Sequence, residues 1–194
     1  MNILFAGTPE PSAKLLQALV KNNNINIIGV ITKPDIAQNR GKKIQQSQVS
    51  FAASETNLPI YKPDNLNSLE FRQTLLQLDF DFLVVAAYGK IIPDWMLESP
   101  KIMSINVHYS LLPKYRGASP IQSCLLNGDK KTGITFIKMS NKLDEGECIQ
   151  KYEIEVHPDH NKITLEDELC NLAIENIYSM LCDITQKNFT LLKQ

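Results

Sequence analysis

Net charge is the first thing this chain has little of. Its 20 Lys and Arg nearly balance 21 Asp and Glu, leaving −1 at pH 7. The chain as a whole is therefore no electrostatic binder of nucleic acid, and any RNA contact must come from a local patch. Cysteine is scarce, and Cys124, Cys148, Cys170 and Cys182 lie far apart. No C-x-x-C pair occurs, which argues against zinc; the pattern reads as free thiols in a reducing cytosol. No apolar run approaches the ~20 residues that span a bilayer. The opening M-N-I-L-F-A-G has neither the basic start nor the apolar core of a secretory signal. A cytoplasmic protein with no membrane partner is expected. A glycine-rich nucleotide fingerprint is missing too. Gly7 follows the first apolar run without G-x-G-x-x-G, so neither NAD nor FAD is inferred.

What is present is enough for one ordinary domain. The chain has 194 residues, 43% hydrophobic and 21% charged, the balance of a globular protein with a real core. Residues 2–6 form an apolar strand and Gly7-Thr8-Pro9 turns it. Ser12 to Val20 has helical spacing, and Ile25 to Ile31 is a second apolar strand. Strand–helix–strand in about thirty residues is a βαβ unit, which implies a parallel sheet. Further helices are expected over 49–56, over 68–78 with Ser68 as N-cap, and over 121–126. Phe82 to Ala86 is a continuous apolar strand, suited to a central parallel position. Thr132 to Met139 and Cys148 to Val156 alternate and read as an outer strand and its antiparallel partner. Leu165 to Ile184 is the most regular helix, with Thr164 and Asp167 as its capping pair and Leu169, Leu172, Ile177 and Leu181 facing the core. The expected fold is α/β: a Rossmann-like open, mostly parallel sheet with helices on both faces and an antiparallel extension near the C-terminal part.

Three stretches carry chemistry. Ser104 to Pro120, S-I-N-V-H-Y-S-L-L-P-K-Y-R-G-A-S-P, begins as a strand with Ile105 and Val107 on one face. Asn106 and His108, two residues apart, then share the other face. An amide and an imidazole side by side suit a carbonyl that becomes a tetrahedral oxyanion. A lone N-x-H at a strand end is more often packed than reactive, so its company matters. Downstream, K-L-D-E-G places Asp144 where a carboxylate can orient the imidazole or take a proton. The third stretch, residues 32–49, is polar and basic. Lys33, Arg40, Lys42 and Lys43 against Asp35 make a local +3 (4 − 1) around Gly41. Such a cluster is either a solvated loop or a phosphate-contacting one. His157 and His160 flank Asp159, but no third ligand is near, and no metal is expected.

N-V-H-x-S-L-L-P-x-Y-R-G followed by L-D-x-G resembles the folate-dependent formyltransferases, and the resemblance covers essentially the whole chain. It implies a one-carbon transferase that uses 10-formyltetrahydrofolate as co-substrate, without a metal. Asn106, His108 and Asp144 match the family's catalytic set. A-Y-G-x-x-x-P at 87–93 matches part of its folate pocket. The implied folate contacts are Ala87, Tyr88, Gly89 and Ile91, together with Ser110, Leu111, Leu112 and Pro113. Lys33 and the Arg40-Gly41-Lys42-Lys43 loop resemble the basic insertion that some members place against the acceptor stem of initiator methionyl-tRNA, so RNA contact is implied there. Residues 1–194 would then be the catalytic domain, lacking the C-terminal β-barrel tRNA-binding domain usual in such members.

Four positions depart from the family pattern. Pro11 replaces an aromatic, Tyr109 fills a usually small position, and Glu145 and Glu147 add negative charge beside the catalytic segment, which could disfavour a phosphate-bearing acceptor. Two rival readings stay open. One is an N-formyltransferase acting on a nucleotide-linked amino sugar. The other is a non-catalytic folate- or RNA-binding module.

Overall fold

A computed structural model describes residues 1–38 and 43–194, and side chains outside 36–44. The chain divides into two compact units, residues 1–104 and 105–194.

The first unit opens with β1 (Asn2–Gly7), α1 (Glu10–Val20) and β2 (Asn26–Ile31). β1 and β2 pair in parallel, as a βαβ unit requires. Two short strands follow, β3 (Ile36–Gln38) and β4 (Lys43–Gln45), paired antiparallel. The sequence pattern predicts only loop here. Each strand is three residues with one isoleucine, too short for apolar alternation to register. α2 (Gln48–Glu55) starts at Ser47, whose side chain accepts from the Ser50 N–H. After β5 (Ile60–Tyr61), α3 (Leu69–Leu76) is capped by Ser68, as expected. β6 (Phe82–Ala86) is buried throughout and pairs in parallel with β1, and β5 pairs in parallel with β2. The spatial order β5-β2-β1-β6 is that of a parallel sheet. α4 (Asp94–Leu97) follows β6.

Gly7 ends β1 where a side chain has no room. A Cβ there would lie 2.8 Å from that of Ser12 and 2.9 Å from the Ala86 carbonyl. α1 buries Leu15, Leu16 and Leu19, each worth roughly 1.5–3 kcal/mol as an upper figure, and packs on α2. Pro11 sits buried in the first turn of α1, where a missing N–H costs no helical bond.

The second unit takes most of β7 (Met103–His108), then α5 (Pro120–Leu126), β8 (Lys131–Lys138), β9 (Cys148–Glu155) and α6 (Lys162–Thr185). β8 is antiparallel to both β7 and β9. It is thus a central strand of this unit, not the outer one expected, and its six inner residues are all buried. The expected α/β architecture holds, with parallel strands first, antiparallel strands towards the C-terminal end and helices around them.

α6 begins three residues earlier than the expected cap. Asn161 accepts from the Ile163 and Thr164 N–H groups, and the Thr164 hydroxyl accepts from the Asn161 N–H, closing a capping box. Its buried stripe runs Leu165, Leu169, Cys170, Ala173, Ile177, Met180, Leu181 and Ile184. Leu172, expected in that stripe, is half-buried beside it. His160 pairs with Glu168 at 3.0 Å and its Nδ1 accepts from the His157 N–H at 3.1 Å, which gives the histidine pair a structural role at the entry to the helix. No helix among the described residues is long and apolar enough to cross a membrane.

Candidate active site

β7 delivers its polar pair as the alternation requires. Ile105 and Val107 are buried on one face, and Asn106 and His108 lie opposite Ile137 and Thr135 of β8. Asp144 reaches the same place from the β8–β9 connection. Its Oδ1 accepts from the Asn106 amide at 3.2 Å, and its Oδ2 accepts from the Gly117 N–H at 2.8 Å. His108 Nδ1 lies 3.6 Å from Oδ2, with both side chains more than nine-tenths buried. That distance is an ion-pair approach and too long for a hydrogen bond. The other ring nitrogen is 2.9 Å from the Tyr115 carbonyl, which can only accept, so Nε2 carries the proton in this arrangement. The carboxylate thus binds Asn106 and the Gly117 amide directly and acts on the imidazole through charge.

Asp144 is held at φ +52°, in the left-handed region that Asp tolerates better than most residues with a side chain. Two residues on, Gly146 explains the glycine of the L-D-x-G motif. A Cβ there would collide with the Lys138 carbonyl oxygen. The β8–β9 connection folds back so closely on the end of β8 that only glycine fits. The contact that sequence reasoning missed is Gln194. Its Nε2 donates to the Asp144 and Gly146 carbonyls, each at 2.7 Å. Its Oε1 accepts from Arg116 Nε at 3.0 Å and Nη2 at 2.9 Å. Nothing about a single glutamine after α6 marks such a contact.

The segment after β7 is tied down by hydroxyls. Thr135 donates to the Ser110 carbonyl at 2.7 Å and accepts from the Leu112 N–H at 3.1 Å, both buried. Ser110 donates to the Lys114 carbonyl at 2.6 Å, so it shapes the turn. Lys151 donates to the Leu112 carbonyl, and Leu112–Pro113 is a cis peptide. Leu112 packs with Ile137 and Cys148, whereas Leu111 is half-buried. The Tyr115 hydroxyl donates to Asp129 at 2.8 Å, anchoring the loop from which Arg116 extends. Arg116 pairs with Glu145 at 3.5 Å, so one of the two extra carboxylates is engaged by a cation. Tyr109 turns away from the polar face. Its hydroxyl bonds Cys170 of α6 with Glu166 nearby, and burial pushes its phenol well above the ordinary range.

In the first unit, the 87–91 segment leaves β6 in a left-handed turn, with φ +46° at Ala87 and +75° at Gly89. Thr8 donates to the Tyr88 carbonyl at 2.8 Å and Ser12 to the Ala86 carbonyl at 2.6 Å. Tyr88 is 2% exposed. Its hydroxyl is buried with no hydrogen-bond partner among the described residues, and desolvation pushes its pKa up to about 12. Ile91 is 88% exposed. Gly89 lies under the Lys33 ammonium, so Lys33 sits on this segment. Asp35 pairs with Lys62 at 2.7 Å. Arg40, Gly41 and Lys42 lie outside the described residues, and for Lys43 only the backbone is described. Among the described residues, no three His, Cys, Asp or Glu side chains cluster as metal ligands would.

Comparisons with known proteins agree on the family. Residues 1–181 match the profile described as formyl transferase. The methionyl-tRNA formyltransferase of Mycoplasmopsis pulmonis is 40% identical over 194 residues, covering 100% of this chain and 66% of that protein. That of Clostridioides difficile is 40% identical over 188 residues, covering 97% and 60%. The chain thus spans about 60% to 66% of the length of these relatives. Among solved structures, the phosphoribosylglycinamide formyltransferase of Bacillus halodurans superposes with a TM-score of 0.75 at 17% identity, covering 93% of each chain. A sugar N-formyltransferase from a Shewanella species gives 0.73 at 18% identity, covering 100% of this chain and 73% of the other. At such identities the structural likeness speaks for the fold alone.

Proposed function

The chain belongs to the formyl transferase family, and on that premise we propose that it moves a formyl group from 10-formyltetrahydrofolate to the amino group of initiator methionyl-tRNA. The observation that carries the reaction is the grouping of Asn106, His108 and Asp144 at one strand end. The choice of acceptor is supported by relatives at 40% identity named methionyl-tRNA formyltransferase.

The neutral amine attacks the formyl carbon, and the carbonyl oxygen takes the negative charge. Asn106 has two amide N–H groups, and one is given to Asp144. The other is the donor for the oxyanion. His108 lies on the same face, and its Nε2–H exchanges the Tyr115 carbonyl for that oxygen when substrate is bound. Collapse of the tetrahedral carbon breaks its bond to the folate N10, which leaves with a proton. Ala87, Tyr88, Gly89 and Ile91, with the 110–113 segment, are the proposed folate contacts. Lys33, Arg40, Gly41, Lys42 and Lys43 are the proposed contacts for tRNA phosphate.

The test is formyl transfer from 10-formyltetrahydrofolate, with charged initiator methionyl-tRNA and a nucleotide-linked amino sugar as parallel acceptors. Transfer to the tRNA alone supports the proposal. Transfer to the sugar alone moves the assignment to the sugar N-formyltransferases. Folate binding with no transfer to either reduces the chain to a binding module.

A further inference from the structure

Residues 188–194 run back along the start of β9. Leu192 and Cys148 exchange backbone hydrogen bonds of 2.8 and 3.0 Å in an isolated antiparallel bridge. That bridge brings Gln194 across the segment that bears Asp144. Its amide is then fully used, with two donors on the Asp144 and Gly146 carbonyls and two bonds accepted from Arg116. One side chain therefore joins the turn after β7 to the turn before β9.

We propose that Gln194 is a positioning residue for the reaction, holding the Asp144 backbone in the left-handed conformation that aims its carboxylate at Asn106 and His108. The inference rests on the reading of those three residues as the reacting set. Asp tolerates the left-handed region without preferring it, so at φ +52° the contacts on either side of the residue select that conformation. The bond to the Asp144 carbonyl supplies that restraint on one side, and the Gly117 N–H on the carboxylate supplies it on the other. Through Arg116 the same amide steadies the residue next to Gly117. The chemistry is specific to an amide, because a donor for two carbonyls and an acceptor for a guanidinium are needed from one planar group.

Two variants of the full chain separate the halves of the contact. Gln194→Glu keeps the acceptor for Arg116 and removes both donors. Gln194→Met has similar length and removes everything. Each is read by kcat and KM, by the ¹⁵N–¹H resonance of the Gly117 amide, and by thermal unfolding. The expected result is a fall in kcat of about tenfold or more in both variants, with donor KM within about twofold and a Gly117 amide shifted as its bond to Asp144 weakens. In an Asp144→Asn background, Gln194→Met should cost little more, because the two act through one group. An unmoved Gly117 amide, or a Gln194→Met loss that multiplies fully with Asp144→Asn, overturns the proposal. If the parent chain transfers no formyl group, the functional reading fails, and the Gly117 resonance still decides the positioning. If Gln194→Met unfolds, the Gln194→Glu variant decides alone.

Discussion

Gly146→Ala tests how the candidate site is built. The added methyl has no space, since its ideal position overlaps the Lys138 carbonyl oxygen. To restore ordinary contact the two backbones must part by about 1 Å or more. Overpacking of this kind costs roughly 1–3 kcal/mol of stability. The larger consequence falls on Asp144, two residues away. Its carbonyl and that of Gly146 share the Gln194 amide, so the movement cannot be absorbed by one without the other. The carboxylate then loses its 2.8 Å bond from the Gly117 N–H or its 3.2 Å bond from Asn106. A misplacement of about 1 Å can lower a rate by about 100-fold. Thermal unfolding and single-turnover formyl transfer separate the two effects. The expected outcome is a modest fall in Tm and a fall of about 100-fold in rate. A folded Gly146→Ala protein with a rate within about twofold of the parent would show that the close approach to Lys138 does not govern Asp144.

Three further outcomes are expected. Asn106→Ala removes the oxyanion donor and the partner of Asp144 Oδ1, and should lower kcat by about 10²–10³-fold at saturating donor with a stability loss of about 1–3 kcal/mol. Thr135→Val leaves the Leu112 N–H without an acceptor and the Ser110 carbonyl without its donor, and chemical denaturation should show a loss of about 2–4 kcal/mol. Tyr88 makes stability depend on alkaline pH. Its folded pKa of about 12 exceeds the ordinary value of 10.0, so its contribution is complete below pH 10 and is lost as pH rises through about 12. The full effect is about 2–3 kcal/mol, and Tyr88→Phe should flatten that part of the stability profile.

Much of this was legible in the residues. The apolar runs of β1, β2 and β6 and the helical spacing of α1 determine a parallel arrangement, because only a crossover helix joins parallel neighbours at that spacing. The N-x-H alternation on β7 places Asn106 and His108 on one face for the same elementary reason. Asp144 was legible only as a carboxylate at some distance. Its direct partners, Asn106 and the Gly117 N–H, arise from two turns whose meeting no periodicity encodes. The pair β3 and β4 was hidden because three-residue strands carry too little pattern. α6 begins earlier than its apolar stripe suggests because Ile163 is 69% exposed, which masks the first turn. Tyr109 looked like an intrusion into the site, yet strand alternation sends it to the face opposite Asn106 and His108, against α6. Gln194 was invisible, since a single amide outside any periodic stretch acquires meaning only from the carbonyls it reaches.

Whether Asn106, His108 and Asp144 carry formyl transfer is decided by comparing the parent chain with Asp144→Asn. The assay is single-turnover transfer from 10-formyltetrahydrofolate to initiator methionyl-tRNA at high enzyme concentration and low salt. The substituted amide offers one acceptor oxygen where the carboxylate offers two. It can satisfy the Gly117 N–H only by turning its NH₂ towards Asn106, and it no longer places charge beside His108. Transfer by the parent and a loss of about 100-fold or more in the variant are expected. Equal rates in the two proteins would place the chemistry elsewhere in the chain.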